Sequence, residues 1–217
     1  MKAMIFFMFL VLISCKWMDG KQSKKGDCDY LETIRRANVL LSHADLNNGN
    51  IEGDSALVGA YLEAALLSID SAIECDSSQR SSYYVKLEII GRMRDYEKQL
   101  KFLNDSKIHF GLSEFFHIKG LIYDSLLNGD SAIHNYLRSY KEASREAREA
   151  PDDPKVQVRL VEATGLLYGL DSALSVLKAV RIIHSSKQIE NLYEIYERAD
   201  TTLKDKRGIL EKRGFKN

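Results

Sequence analysis

The segment Gly120-Leu-Ile-Tyr123-Asp-Ser-Leu-Leu-Asn-Gly129-Asp130-Ser-Ala132-Ile-His-Asn-Tyr136 decides the fold of this chain. Apolar residues recur at helical spacing on both sides of the Gly129-Asp130 pair, which favours a turn. Gly120 and Ala132 are small enough for two helices to approach closely, and Tyr136 follows one turn after Ala132. The segment therefore predicts an antiparallel helical hairpin.

Related segments occur before and after this hairpin. Ala65-Leu66, Gln99-Leu100 and Ala173-Leu174 align with Ala132-Ile133, and the successive steps are 34, 33 and 41 residues. The pattern resembles the tetratricopeptide repeat, a helix-turn-helix unit of 34 residues. The resemblance runs from Asp54 to Ile183, is strong in the Gly120 unit and partial elsewhere. An irregular helical bundle with accidental spacing is the alternative.

The resemblance implies an all-α fold of about nine helices. These would form stacked antiparallel helical hairpins, a right-handed solenoid with a capping C-terminal helix. Asn47-Asn48-Gly49-Asn50 is expected to end the first helix and form the turn to the second. Apolar spacing predicts further helices at Asp54–Cys75, Ser82–Arg94, Tyr96–Ser106, Leu112–Leu127, Ser131–Glu149, Lys155–Tyr168, Ser172–Ile183 and Gln188–Lys206.

Composition agrees with a helical protein and limits its partners. Lys+Arg and Asp+Glu both number 31, so no basic surface favours nucleic acid. The chain has two prolines, Pro151 and Pro154, and Pro154 is expected to open a helix, where its missing N–H costs nothing.

The N-terminus has the features of an export signal. Lys2 precedes the apolar run Met4–Ile13, which ends in Leu12-Ile13-Ser14-Cys15. This run is too short to span a bilayer. Its end, Leu12-Ile13-Ser14-Cys15, resembles the lipobox of bacterial lipoprotein signal peptides. The resemblance implies cleavage before Cys15 and acylation of Cys15, with palmitate among the expected acyl groups. An apolar N-terminal helix packed into the fold is the alternative.

The expected organisation follows from that resemblance. Residues 1–14 would be the signal peptide, 15–27 the lipidated cysteine and a flexible tether, 28–207 the helical domain and 208–217 a tail. The protein would then be anchored by lipid in the bacterial cell envelope, more in the outer than in the inner membrane. Cys28 and Cys75 are either a disulfide or two unpaired thiols, and their spacing favours the unpaired state.

No catalytic motif stands out. The sequence has no HExxH, no Gly-x-Ser-x-Gly and no glycine-rich phosphate loop, so we expect no catalytic residue, no metal, no cofactor and no enzyme. Residues 45–54 alternate oxygen ligands as calcium loops do, but Gly49 and Ala56 stand where ligands are needed. This segment is expected to be an ordinary interhelix loop.

The tripeptide Asp-Ser-Ala begins at Asp54, Asp70, Asp130 and Asp171, with relatives at Asp124 and Asp200. These segments are similar to the acceptor sites of a periplasmic O-glycosylation system of some bacteria. The resemblance implies modification at Ser55, Ser71, Ser125, Ser131, Ser172 and Thr201. Helix capping by Asp54, Asp130 and Asp171 is the alternative.

The repeat resemblance also implies a concave surface formed by the first helix of each hairpin. The residues expected there are Tyr84, Glu88, Arg92, His117, Asp124 and Glu162. The function expected is a lipid-anchored scaffold that binds a protein or peptide partner. The alternative is a glycan- or nutrient-binding surface lipoprotein of an uptake system, which is disfavoured because the single tryptophan, Trp17, lies in the tether.

Overall fold

The computed structural model describes residues 29–48, 55–184, 187 and 189–199. Every regular element in these ranges is helical, which confirms the all-α class. The predicted signal peptide, Cys15, the tether and the predicted tail lie outside the described residues.

The predicted helices up to Ile183 are confirmed, with ends that shift by at most two residues. The last predicted helix, Gln188–Lys206, is helical at 189–199, and its remaining residues lie outside the described ones. The predicted helix break at Asn47-Asn48 is wrong. Both residues lie in the last turn of the first helix, where asparagine is only mildly unfavourable. The helices are α1 (Tyr30–Asn48), α2 (Ser55–Cys75), α3 (Arg80–Arg92), α4 (Tyr96–Asp105), α5 (Leu112–Ser125), α6 (Gly129–Glu149), α7 (Pro154–Tyr168), α8 (Leu170–Ile183) and α9 (residues 189–199), with a 3₁₀ turn at Lys107–His109.

The chain forms two compact units. Among the described residues, the first contains 29–48, 55–111 and 121–127, and the second contains 112–120, 128–184, 187 and 189–199. In the first unit α2 packs on α1 and α3, and α3 packs on α4. In the second unit α7 packs on α6 and α8.

The core of the first unit is built from the apolar stripes of α1 and α2. Short side chains at Ala37, Ala65 and Ala72 are fully buried and bring the two helices close together. Longer side chains fill the remaining space, and these are Ile34, Leu41, Leu62, Ile69 and Ile89. Their burial is the main stabilising term for this hairpin.

Helix α2 is the one described helix that is long and apolar enough to cross a membrane by length and composition alone. It also carries the buried stripe of the hairpin and packs on two neighbouring helices. Its Asp70 forms an ion pair with Lys86 of α3, with 2.5 Å between carboxylate oxygen and Nζ. These contacts make α2 a core helix of the first unit.

The aligned repeat positions are all buried, which confirms the register predicted from sequence. Ala65, Gln99, Ala132 and Ala173 are at most 2% exposed. Gln99 replaces the usual alanine, and its amide donates a hydrogen bond of 2.8 Å to the Leu87 carbonyl. This bond satisfies a polar group that would otherwise be buried at a cost.

Glycines on the first helix of a hairpin make the room for these positions. A Cβ on Gly91 would lie 2.7 Å from the Gln99 amide nitrogen, and one on Gly165 would lie 3.3 Å from Ala173 Cβ. In both hairpins the glycine precedes the aligned position by eight residues. The fourth unit therefore has its own close-approach glycine, at a different position from Gly120, which the sequence analysis did not identify.

The Gly120 hairpin forms as predicted, but its tightest contact differs. A Cβ on Gly120 would lie 2.4 Å from the ring of Tyr136, so this ring rather than Ala132 occupies the space above the glycine. Ser139 of α6 also donates a hydrogen bond of 2.9 Å to the Ser113 carbonyl of α5.

The helix caps correct one explanation of the Asp-Ser-Ala tripeptides. Asn128, not Asp130, caps α6, because its side chain accepts a hydrogen bond from the Ser131 N–H at 3.1 Å. Gly169 stands at the cap of α8, and Asp171 lies inside the first turn. Asp130 and Asp171 therefore act on the helix dipole, whose positive end they face. Pro154 opens α7 as predicted, behind the capping residue Asp153.

Candidate functional site

Helix α3 carries the first three predicted groove residues, Tyr84, Glu88 and Arg92. They are spaced by four residues and so lie on one face of the helix. Glu88 is buried, whereas Tyr84 and Arg92 are partly exposed. The structure thus brings these three residues together, and their assignment to a partner-binding groove stays a prediction.

Arg92 is already engaged within its own unit. Its guanidinium donates to Glu88 of the same helix, with 3.0 Å between Nε and Oε1, and also to Asp45 of α1. Burial raises the pKa of Glu88, and the charge of Arg92 opposes that shift. A partner carboxylate would therefore have to share Arg92 with two internal acceptors.

Tyr84 is anchored by aromatic packing. Its ring meets Phe110 edge to face, with 5.0 Å between ring centroids. Arg80, one turn earlier, donates to the Tyr84 hydroxyl at 3.4 Å and to the His109 carbonyl at 2.6 Å. The ring is thus held in place while part of it stays accessible.

Helix α5 carries His117 and Asp124, which differ in exposure. His117 is 6% exposed, and its Nε2 has no hydrogen-bond partner among the described residues. Burial lowers the pKa of His117 to about 4, so the imidazole is neutral at physiological pH. Asp124 lies exposed in the last turn of α5.

Glu162 of α7 lies where three helices of the second unit meet. Glu114 of α5 and Arg159 of α7 both act on its charge, and Tyr196 of α9 is in turn affected by the Glu162 charge. Burial, together with the negative charge of Glu114, raises the pKa of Glu162 to about 7. The partly buried Glu162 carboxylate forms no hydrogen bond or ion pair with any described residue.

Arg159 offsets the charge of Glu162 only in part, because its guanidinium is bound elsewhere. Its Nε lies 3.2 Å from the Glu146 carboxylate of α6. The same carboxylate accepts a hydrogen bond of 2.7 Å from the Ser113 hydroxyl. Glu146 therefore engages the Arg159 guanidinium, while the negative charge of Glu114 adds to the cost of ionising Glu162.

The repeat pattern predicted Glu162 as a site residue but not the residues around it. Glu114 lies three residues before His117, and Arg159 lies three residues before Glu162, so each pair shares a helix face. That spacing was the available signal. Tyr196 could not have been found in this way, because no repeat pattern relates α9 to α7.

The serines of the Asp-Ser-Ala tripeptides lie within helices. The hydroxyls of Ser71, Ser125 and Ser172 each donate to the carbonyl four residues earlier, at 3.0 to 3.2 Å. Ser55 is exposed at the start of α2, and Ser131 is partly exposed in the first turn of α6. Thr201 lies outside the described residues, and modification of any of these positions stays a prediction.

No group of three metal-binding side chains occurs among the residues that the structure describes. Most of the loop considered for calcium, residues 49–54, lies outside them. Cys75 is disulfide-bonded, which corrects the expectation of an unpaired thiol.

Among known proteins, similarity to this chain is found in solved structures alone. No protein family matches the sequence, and no curated protein matches it. Among solved structures, the chain is similar to the crystal structure of YrrB, described as a TPR protein with an unusual peptide-binding site. The two are 18% identical with a TM-score of 0.38, over 81% of this chain and 80% of that one. The class that the structure itself defines is an all-α protein of close-packed helical hairpins.

Proposed function

We propose that this chain is a lipid-anchored scaffold of the bacterial cell envelope that binds a protein or peptide partner through its helical hairpins. The observation that carries the proposal is the Glu162 carboxylate, which lies among α5, α7 and α9 beside another carboxylate. A charge in this setting costs stability unless a counterion neutralises it. A cationic group of a partner would supply that counterion.

The surroundings of Glu162 indicate the chemistry of the partner segment. Arg159 is held by Glu146, so a lysine or arginine of the partner would supply the positive charge that Glu162 lacks. A partner segment with a basic residue fits this feature.

Photo-crosslinking in cells that make the protein tests this proposal. A photoreactive amino acid at Glu162 should capture a defined partner, and the same residue at exposed Lys141 of α6 is the matched control. With the partner identified, Glu162→Gln should weaken binding by roughly 1–3 kcal/mol, and Lys141→Ala should not. Equal affinities for both variants would place the interface elsewhere.

The lipid anchor and the envelope location belong to the same proposal. Their support is the apolar run Met4–Ile13 before Cys15, together with the disulfide at Cys75, which requires an oxidising compartment. The outer membrane is the proposed site of anchoring.

A further inference from the structure

Cys75, the last residue of α2, is disulfide-bonded. The only other cysteines of the chain are Cys15 and Cys28, both outside the described residues. We infer that Cys28 is the partner of Cys75, and that Cys15 alone keeps a thiol that can be acylated. This inference does not depend on the proposed partner binding.

The packing of α1 on α2 favours Cys28, which directly precedes α1 in the sequence, over Cys15. The two helices run antiparallel, since His43 near the end of α1 stacks on Tyr61 near the start of α2. At the start of α1, the Tyr30 hydroxyl lies 2.8 Å from Ser81 Oγ and 3.2 Å from Ser82 Oγ, which are in the first turn of α3, six and seven residues after Cys75. Cys28 stands only two residues before Tyr30, and consecutive Cα atoms are about 3.8 Å apart. A disulfide needs Cα atoms roughly 4.4–6.8 Å apart, which favours the cysteine nearest in sequence to this contact.

Cys15 is the weaker candidate on two grounds. It lies fifteen residues before Tyr30, so pairing it with Cys75 would close a longer and less constrained loop. An acylated Cys15 would also hold its sulfur in a thioether, which has no thiol to oxidise. The same chain can therefore carry both the lipid and the disulfide only if Cys28 makes the bond.

The chemistry requires an oxidant of the disulfide class. The thiols of Cys28 and Cys75 each lose one proton and one electron as the S–S bond forms. A disulfide-bearing oxidant takes up both protons and both electrons and becomes a dithiol. Such exchange goes to completion in an oxidising envelope compartment and is reversed in the cytosol.

The bond would fasten α1 where the tether leaves the helical domain. Residues 16–27 span at most about 40 Å when extended. Any pull from a membrane-held lipid would thus reach the Cys28–Cys75 bond before it reached the hydrogen bonds of α1.

Tryptic mapping of the full-length protein, purified from the envelope with its thiols alkylated before lysis, tests the pairing. Trypsin cuts after Lys16, Lys25, Arg35, Arg36 and Arg80, so each cysteine falls in its own peptide. Without reduction, the peptide of residues 26–35 should be joined to that of residues 37–80. Alkylated Cys75, or a link from Cys75 to the peptide ending at Lys16, would overturn the inference.

Serine variants of the three cysteines test the assignment independently of the tryptic peptide map. Cys28→Ser should expose the Cys75 thiol to alkylation, whereas Cys15→Ser should leave it protected. Cys28→Ser, Cys75→Ser and the double variant should lower the melting midpoint by the same amount, roughly 5–15 °C, because each removes the same bond. A Cys75 thiol that becomes reactive in Cys15→Ser and stays protected in Cys28→Ser would assign the bond to Cys15.

Discussion

At Gly120 the side chain is limited to a hydrogen atom by the ring of Tyr136, whose nearest carbon would lie 2.4 Å from a Cβ. The residue therefore sets how closely α5 and α6 approach. Glu162 represents the opposite situation, because its carboxylate is held in surroundings that disfavour its charge. At Gly120 a larger side chain would destabilise the protein by steric overlap, and at Glu162 the ionised carboxylate destabilises it by electrostatics. Each residue leads to a measurable prediction.

Gly120→Ala should destabilise the protein by roughly 1–3 kcal/mol, because the added methyl group forces the Tyr136 ring or the helix to move. Gly59→Ala in α2 is the matched control, since no atom lies within 4 Å of its Cβ position. The control should be stabilised by about 0.5–1 kcal/mol, the usual gain for alanine over glycine in a helix. Chemical denaturation of both variants measures the difference, and equal midpoints would contradict the close contact.

Glu162 should make stability depend on pH. Its pKa is raised from the usual value of 4.5 to about 7 in the folded protein, so the folded state holds the proton more tightly. The resulting stabilisation is present below pH 4.5 and is lost as the pH rises through 7. Glu162→Gln should match the wild type near pH 4.5 and exceed its free energy of unfolding at pH 8 by roughly 1–3 kcal/mol.

The measurement is urea denaturation at both pH values, with exposed Glu97→Gln as the control. A constant difference between wild type and Glu162→Gln at the two pH values would show that the carboxylate titrates normally.

At the scale of elements, the helices end by local rules that the sequence makes readable only in part. Arg94 and Leu127, both with positive φ, close α3 and α5 in the left-handed conformation that glycine usually supplies. After α3, the Arg94 N–H bonds the Gly91 carbonyl and the Asp95 N–H bonds the Ile90 carbonyl. This is the bond pattern of a Schellman cap, formed here without a glycine.

The cap of α6 can be tested by a pair of substitutions. Asn128→Ala removes the acceptor of the Ser131 N–H and should cost about 1 kcal/mol of stability. Asp130→Ala removes only a charge near the helix start and should cost a few tenths of that, with the loss disappearing at high salt. Thermal denaturation at low and high salt distinguishes them, and a larger loss for Asp130→Ala would restore that aspartate as the cap.

Capping does not explain the Asp-Ser-Ala tripeptides at the starts of α6 and α8, because Asp130 and Asp171 are not caps, whereas Asp54 lies outside the described residues. We expect glycosylation at one or more of Ser55, Ser71, Ser125, Ser131, Ser172 and Thr201 in the native envelope. Intact-mass measurement of the purified protein should show mass beyond that of the acylated polypeptide. A mass equal to that of the acylated polypeptide would contradict glycosylation at these positions.

For the whole molecule, two compact units of helical hairpins are described, and the segment before them carries the predicted lipid site. The hairpins could hold a partner, whereas the lipid would determine where in the cell this happens. The two properties are separable, because the described helices neither contain nor require Cys15.

Cys15→Ala should abolish acylation and leave the signal segment uncleaved by the lipoprotein peptidase. Metabolic labelling with a fatty-acid analogue measures this directly, and Cys28→Ala is the matched control that should keep the label. Label that persists in Cys15→Ala would contradict the lipoprotein proposal.

Local sequence determined the helices, their approximate ends and the register of the repeats. Apolar spacing predicted every described helix through α8, and the four aligned positions from Ala65 to Ala173 are all buried. These features follow from periodicity, because a helix with one apolar stripe has only one face to bury.

Only the tertiary structure decided which side chains meet. It placed the Tyr136 ring rather than Ala132 over Gly120, joined Arg92 to Asp45 across the first unit, and set Glu114 and Tyr196 around Glu162. It also decided that Cys75 is oxidised. Each of these contacts joins residues of different helices, and helical periodicity specifies which face is buried without specifying what that face will touch.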